Sequence, residues 1–339
     1  MKKTVILFCA IALSCNIFSA EKTPKATAPM LSYSLPRTAL LIEITTVKTE
    51  QKAGPYYKYA ERYLALKDVI TEDKTVWEIS SVRVKTRGIA DPNRSFMLKN
   101  ATNLSLTNTG VIRGINLPET DKPNAKKEHN KQPKINKAAS DDFYASPFIS
   151  EEQLMANSVA KMAEIAAKQI FRLRDSRISL ISGENEKMPA DGESLKLMLR
   201  QMDKMEESLT ELFAGKKITT TVVKTVEIVP NKNLKNEMLF NFSETAGISD
   251  KPEPGSYPVQ INLSKQINAT PAVNAKSNEG LFYLLPGAAE VELWGNNTQL
   301  FKGSFDMAQF GTLQQLPASK GDLKVRINTK TGALISVEK

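Results

Sequence analysis

The sequence predicts an α+β fold, in which antiparallel, β-rich N- and C-terminal regions flank a central pair of long amphipathic helices. In both outer regions apolar and polar residues alternate, as they do in strands with one solvated face. In the central region apolar residues recur at spacings of three and four, which is typical of helices. With 339 residues, the chain is long enough to bury a large apolar core.

Residues 1–20 have the pattern of a signal peptide for export. Lys2 and Lys3 precede an apolar run from Val5 to Phe18, whose 14 residues are too few to cross a hydrocarbon core of about 30 Å. Cleavage after Ala20 is the main prediction. The alternative is a lipobox-like segment in which Cys15 is the lipidated residue. Both routes predict an exported protein, periplasmic or associated with the outer membrane, without a transmembrane span.

The residue types that remain after the leader limit the chemistry of the protein. Both cysteines, Cys9 and Cys15, lie in the leader, and the only histidine is His129. Zinc sites and Ser–His or Cys–His catalysis depend on these side chains. No phosphate-binding loop or Gly-x-Ser-x-Gly motif is present. The sequence therefore predicts no metal site, no cofactor and no catalytic residue of these classes. Calcium is left open because it takes only oxygen ligands, although no Asp-x-Asp-x-Asp-Gly loop is present.

The formal net charge of +9 does not predict nucleic-acid binding. Much of the excess lies in residues 121–139, where six lysines accompany two acidic residues. Phosphate binding needs lysines and arginines clustered on one face, whereas these belong to a segment with few apolar residues. We predict that residues 117–142 form a disordered basic linker and that residues 21–30 form a disordered tether.

The N-terminal β-rich region is predicted to span residues 31–116, with one helix. Thr38–Thr49 and Val76–Lys85 have strand character, and Gly54-Pro55 precedes a helix predicted from Tyr56 to Leu66. A turn is expected at Asp91-Pro92-Asn93. Three short strands are expected after it, over 95–100, 103–107 and 110–116.

The helical pair is predicted within residues 143–215. Ser150 and Gln153 form a capping box that begins a helix to about Arg174. A second helix is predicted from Asp191 to Ala214, with Gly215 as its stop. The apolar stripes consist of Met155, Val159, Met162, Ala166, Ile170 and Leu173 on the first helix, and Leu195, Met198, Met202, Met205, Leu209 and Leu212 on the second. Packing within the core is their main interpretation. The alternatives are that the methionine-rich stripe forms an adaptable binding groove, or that the helix pair completes its core only in an oligomer.

The C-terminal β-rich region is predicted to span residues 216–339. Met238, Phe240 and Phe242 alternate with polar residues, as do Leu323, Val325 and Ile327. Gly295-Asn296-Asn297 is predicted to be a three-residue hairpin loop.

The candidate binding site is a cluster of tyrosines near residue 60. Half of the eight tyrosines lie within eight positions: Tyr56, Tyr57, Tyr59 and Tyr63. On a helix, Tyr56, Tyr59 and Tyr63 share a face, which could form an aromatic platform for sugar rings or for the apolar surface of a partner protein. The alternative is that these rings pack the helix onto the N-terminal sheet.

Carboxylate chemistry is the second function class that the sequence leaves open. A glycosidase needs only two acids at a suitable separation, and sequence does not give separations. The acidic residues considered are Glu43, Glu61, Glu78, Asp91, Glu227 and Glu292. Solvated strand and helix faces account for them equally well.

Several blocks of sequence resemble a known family. They are GPYYKYAERYLALKDVITED, WEISSVRVKTRGIADPNRSFM, PFISEEQLMANSVAKMAEIAAKQIFRLRDSRISLISGE, YLLPGAAEVELWGNNTQLFKGSFDMAQFGTLQQLP and KTGAL. The chain resembles the exported Bacteroidales family catalogued as domain of unknown function 4831, which implies a Gram-negative cell-envelope protein and implies no activity. The expected function is non-enzymatic binding or scaffolding of a glycan or an envelope protein. The alternative is a carboxylate-dependent glycan hydrolase.

Overall fold

The computed structural model describes residues 31–98, 103–117, 142–184, 192–266, 280–316 and 323–338. The predicted signal peptide, the tether at 21–30 and almost all of the predicted linker lie outside the described residues. So do Cys9, Cys15 and His129. These predictions therefore stay predictions.

The described residues confirm an α+β fold that is rich in antiparallel strands. Their helices are α1 (Ala60–Leu64), α2 (Glu151–Leu154), α3 (Val159–Ser182) and α4 (Gly192–Ala214). The strands are β1 (Leu31–Lys52), β2 (Lys74–Leu98), β3 (Leu104–Leu106), β4 (Ile112–Ile115), β5 (Lys216–Ile228), β6 (Leu234–Ser243), β7 (Gly247–Ser249), β8 (Tyr257–Lys265), β9 (Leu281–Gly295), β10 (Thr298–Leu316), β11 (Lys324–Ile327) and β12 (Leu334–Glu338).

The strands form three antiparallel sheets. Their orders are β2-β1-β5, β10-β9-β8-β6-β7 and β12-β11-β4-β3. The first and third sheets each combine strands from the N-terminal and the C-terminal β-rich regions, since β5 pairs with β1 and β11 pairs with β4. The two regions are therefore interleaved rather than side by side.

Strand β2 is longer than the sequence predicts. The expected turn at Asp91-Pro92-Asn93 lies inside it, as an irregularity where the pairing with β1 shifts between Ser34 and Pro36. The Asp91 carboxylate accepts the backbone N–H of Asn93 at 3.0 Å, so the local turn chemistry does form. The prediction of a separate strand over 95–100 was wrong because pairing with β1 continues past the irregularity.

The β9–β10 hairpin has a tighter connection than predicted. Its loop consists of two residues, Asn296 and Asn297, with φ angles of 48° and 58°. Two successive positive φ angles match the twist of the flanking strands in a two-residue hairpin, and asparagine tolerates them better than most residues. Gly295, expected in the loop, is the last residue of β9.

Two apolar cores lie between the sheets. The first core joins Leu40, Ile42 and Ile44 of β1 to residues of the five-stranded sheet, which are Phe240, Phe242, Val259, Ile261, Leu263, Ala289, Val291, Leu293, Met307 and Phe310. The second core contains Tyr33, Leu35, Leu98, Ile112, Ile115, Leu281, Phe282, Leu284, Ala308, Val325 and Ile327. Strands β1, β9 and β10 contribute to both cores.

A buried polar junction lies where β1 passes from one core to the other. The hydroxyl of Thr38, which is fully buried, donates to the carbonyl of Lys330 at 2.7 Å and accepts the N–H of Ala308 at 2.9 Å. The amide of Gln309 accepts the N–H of Thr38 and donates to the carbonyls of Thr38 and Pro230, each at 2.9 Å. The junction thus satisfies the Ala308 N–H, which lies where the pairing of β10 with β9 is interrupted, together with backbone groups outside β10.

The central region contains the helical pair, with two differences from the sequence prediction. The first helix was expected to end at about Arg174, whereas α3 continues to Ser182. The expected single helix from Glu151 is interrupted after Leu154 and begins again at Val159, because Ser150 and Ser158 each cap a helix N-terminus. Met155 and Val159, predicted in the apolar stripe, are consequently 75% and 48% exposed.

Helices α3 and α4 run antiparallel. Arg174 bonds Glu206 at 2.7 Å, and Arg177 pairs with both Asp203 and Glu206. Helix α4 ends at Ala214, and Gly215 follows with a φ of 86°. A third core lies between these helices and residues 56–64. It contains Tyr56, Ala60, Ala163, Ala166, Ala167, Ile170, Leu209, Leu212 and Phe213. In the described part of the chain, no helix is both long enough and apolar enough to span a membrane.

Candidate functional site

Tyr56 lies in the third core rather than at the surface. Its side chain has no exposed area, and its ring packs edge-on against Phe213 with the centroids 5.4 Å apart. The phenol oxygen accepts a hydrogen bond from the buried side-chain amide of Gln153 at 2.9 Å, and the Tyr56 N–H donates to the carbonyl of Leu212 at 2.8 Å. The structure therefore corrects the prediction for Tyr56, because a ring so enclosed cannot contact a ligand.

The other three tyrosines are half-buried. Tyr59 and Tyr63 lean against the third core, with their ring centroids 6.2 Å apart. The predicted helix over 56–66 is shorter, a single 3-10 turn at Tyr57–Tyr59 followed by α1. Residues 56–64 pack on α3 and α4. The alternative interpretation, in which these rings pack the helix onto the N-terminal sheet, was therefore wrong about the partner. Ligand contact by Tyr57, Tyr59 and Tyr63 stays a prediction.

Burial of the phenols limits the stability of the fold in alkali. Burial raises the pKa of Tyr56 to about 12 from 10.0, and it also raises the pKa of Tyr33, whose phenol oxygen accepts the Phe282 N–H at 2.8 Å. Because the unfolded chain loses these protons first, the stabilisation is complete below about pH 10 and falls as the pH rises towards 12.

We expect the free energy of unfolding to decline above about pH 10, by up to about 1.4 kcal/mol per pH unit for each such phenol. The decline should be shallower in Tyr56→Phe than in wild type. Denaturant titrations at several alkaline pH values measure it, with Tyr57→Phe as the control for losing one phenol. Equal slopes in wild type and Tyr56→Phe would contradict the prediction.

A polar groove opens on the outer face of the five-stranded sheet. Its volume is about 370 Å³, and it lies across β6, β8 and β9. The polar residues that line it are Asn233, Lys235, Asn236, Asn262, Ser264, Glu290 and Glu292. Strand register accounts for this grouping, since Asn262 lies opposite Glu292 and Ser264 lies opposite Glu290, while Leu263 and Val291 face the first core.

The rim of the groove is held by side-chain to backbone hydrogen bonds. Asn262 accepts the N–H of Asn236 at 2.6 Å, and Asn233 accepts the N–H of Lys265 at 2.9 Å. Asn236 has a φ of 51° at the point where the pairing of β6 with β8 shifts register. Because these bonds fix the strand irregularity, the groove is built into the fold before any ligand arrives.

Lys302 sets the electrostatics of the groove. Its ammonium group lies 2.6 Å from Glu290 and 3.0 Å from Glu292, and the Trp294 indole N–H donates to Glu292 at 3.2 Å. Hydrogen bonds from Lys302 and Trp294 lower the pKa of Glu292, and the bonds to both glutamates raise the pKa of Lys302. Glu292 and Lys302 therefore carry opposite charges at neutral pH, and Glu292 offers hydrogen-bond acceptors rather than a proton.

Most of the acidic residues considered from the sequence have basic partners. Glu43 pairs with Lys85, Glu227 with Arg87, Asp91 with Arg94, and Glu292 with Lys302, whereas Glu61 and Glu78 are exposed. Among the described residues, no group of three or more His, Cys, Asp or Glu side chains could hold a metal ion. The sequence pointed to Glu292 as a candidate acid but did not predict the groove that it lines. The pattern that could have indicated the groove is the alternation of Glu290, Glu292 and Trp294, which places them on one face of β9.

Comparisons with known proteins agree with the resemblance of the sequence blocks. Neither the comparison with curated proteins nor the comparison with solved structures found a match. A family model described as "Domain of unknown function (DUF4831)" matches residues 30–335, which is nearly the whole chain. The chain thus belongs to the DUF4831 family of domains of unknown function.

Proposed function

We propose that this chain is an exported, non-enzymatic cell-envelope protein of Bacteroidales-type bacteria, and that it binds a glycan in the groove on the five-stranded sheet. The leader pattern of residues 1–20 supports the export. The observation that carries the binding role is the preformed groove, in which amides, a hydroxyl and two lysine-bridged carboxylates converge.

The chemistry of the groove suits a polyhydroxylated ligand. Sugar hydroxyls both donate and accept hydrogen bonds, amide side chains do the same, and carboxylates accept two or more bonds each. The charges of Glu290 and Glu292 are balanced in part by Lys302 and Lys235, which favours a neutral glycan over a highly charged one. Beside the groove, the partly exposed Trp294 and the 54% exposed Met238 offer apolar surface for a sugar ring.

Binding fits the electrostatics better than hydrolysis does. A glycosidase needs one protonated acid beside one ionised carboxylate, which requires that their pKa values be pushed apart by raising one of them. At Glu292 the effect of Lys302 and Trp294 is in the opposite direction, towards a lower pKa. Glycan hydrolysis is therefore our second proposal, and the release of new reducing ends from a glycan would identify it.

The test compares wild type with the double variant Glu290→Gln/Glu292→Gln against dextran, mannan and cello-oligosaccharides. We expect wild type to bind at least one of these, and the double variant to bind it at least about tenfold more weakly, because charge-assisted acceptors become neutral ones. Affinity electrophoresis and calorimetry measure this. Glu72→Gln, which changes an exposed carboxylate on a loop away from the groove, is the matched control.

Three outcomes would change the proposal. Unchanged binding in the double variant would remove the groove as the site. New reducing ends that appear with wild type and not with the double variant would establish the hydrolase instead. Binding of an envelope protein that depends on Tyr57, Tyr59 and Tyr63 would favour the tyrosine segment and a protein partner.

A further inference from the structure

Strand β5 is a long edge strand with an open side. It is the last strand in the order β2-β1-β5, and among the described strands none pairs with its outer edge. Its 13 residues contain neither glycine nor proline, and its register with β1 continues without a bulge from Lys216 to Ile228. Val222 and Val223 near its centre are 36% and 47% exposed. Proteins usually blunt such edges, because unpaired N–H and C=O groups invite another strand.

We propose that β5 pairs antiparallel with β5 of a second copy of this chain, about a two-fold axis at Val222. Val222 is the midpoint of Lys216–Ile228, so pairing about it uses the whole strand. A two-fold axis perpendicular to the sheet keeps the solvated face of each copy on the same side. The product is one six-stranded antiparallel sheet with the order β2-β1-β5-β5-β1-β2.

Charge complementarity selects the second copy as the partner. In this register Lys217 lies opposite Glu227 of the other copy, and the symmetry makes the contact twice. Both residues are exposed and belong to the alternate positions on the solvated face of β5. Both carboxylate oxygens of Glu227 also accept hydrogen bonds from Arg87 of their own chain, at 2.6 Å and 2.8 Å, and each oxygen can accept a second bond from a further donor.

Neighbouring registers lose this match. A shift of two positions in one direction places Lys217 opposite Thr225, and in the other direction opposite Val229, which lies beyond the end of the strand. A shift of four positions places Lys224 opposite either Lys216 or the second copy of Lys224, so that like charges meet. The remaining pairs of the symmetric register are β-branched against β-branched, such as Ile218 with Val226 and Thr219 with Thr225, apart from Lys224 with Thr220 and Lys216 with Ile228. Such cross-strand pairs favour sheet association.

Pairing through β5 is independent of the proposed glycan groove, which lies on another sheet.

The first experiment reverses the charges one at a time. Wild type should show a concentration-dependent dimer in sedimentation equilibrium, and Lys217→Glu and Glu227→Lys should each raise the dimer dissociation constant at least about tenfold, since two attractive pairs become repulsive. An equimolar mixture of the two variants should form a heterodimer, and the double variant Lys217→Glu/Glu227→Lys should dimerise like wild type. Lys67→Glu, at an exposed position on a loop, is the control.

A second experiment tests the position of the axis. In a background with serine at positions 9 and 15, Val222→Cys should be joined to its copy by a short bis-maleimide, because residue 222 lies opposite itself. Thr219→Cys should not be joined, since the two copies of residue 219 are then about 20 Å apart along the strands.

Several results would overturn the inference. They are a monomeric wild type at all concentrations, equal dimerisation of wild type and both single variants, failure of the mixture to associate, and more efficient joining through position 219 than through position 222. Association of β5 with an unrelated envelope protein in place of a second copy would also overturn it.

Discussion

Replacing Tyr56 with alanine is expected to lower the free energy of unfolding by about 3–5 kcal/mol. The ring is fully buried against Phe213, and its removal leaves a cavity in the third core that the surrounding helices fill only in part. It also removes the acceptor of the buried Gln153 amide. Urea titration followed by circular dichroism measures the change.

Tyr57→Ala is the matched control, one residue away and half-buried, and we expect it to cost well under half as much. If Tyr56→Ala leaves the unfolding midpoint at the wild-type value and instead abolishes capture of an envelope partner, then the ring belongs to a binding surface and its place in the core is wrong.

Replacing Thr38 with valine is expected to cost about 2–5 kcal/mol, although the two side chains have nearly the same shape. The change leaves the Ala308 N–H and the Lys330 carbonyl without their partner at a fully buried position. Each unsatisfied buried group costs roughly 1–3 kcal/mol, and a shared network adds to that cost because the remaining bonds lose alignment.

The control for this prediction is Thr49→Val on the same strand. Thr49 is half-buried, away from the junction, and valine is at least as well suited to a strand, so its effect should be within about 0.5 kcal/mol of zero. Similar values for Thr38→Val and Thr49→Val would mean that the junction contributes nothing to stability.

Much of the local structure could be predicted because it depends on neighbours in sequence. Ser150 caps a helix, Gly215 follows one with a positive φ, and the alternation of Val259, Ile261 and Leu263 marks a strand with one buried face. The length of β2 could not be predicted, because it depends on pairing with β1, whose partner residues lie up to 67 positions away, as Leu31 with Leu98. Turn chemistry at Asp91 is compatible with both a chain reversal and a strand irregularity, and only the partner strand decides between them.

The same reasoning applies to the site. Helical spacing correctly placed Tyr59 beside Tyr63, but Tyr56 lies outside the helix, and spacing does not say what covers the tyrosines. The covering residues come from α3 and α4, more than 90 positions away. The groove needed the register of β8 against β9, which places Asn262 beside Glu292. Propensity carries no information about such a long-range pairing.

The sharing of β1, β9 and β10 by the two sheet cores has a consequence for how the family can diverge. A strand shared in this way must keep the same register in both cores. Deleting one residue in mid-strand would turn the buried side chains beyond the deletion towards solvent and the exposed ones towards the core. A change in the length of one of these strands would therefore disturb both cores at once, except where a bulge or register shift already absorbs an extra residue. We expect changes in length to be tolerated best in the connections between strands.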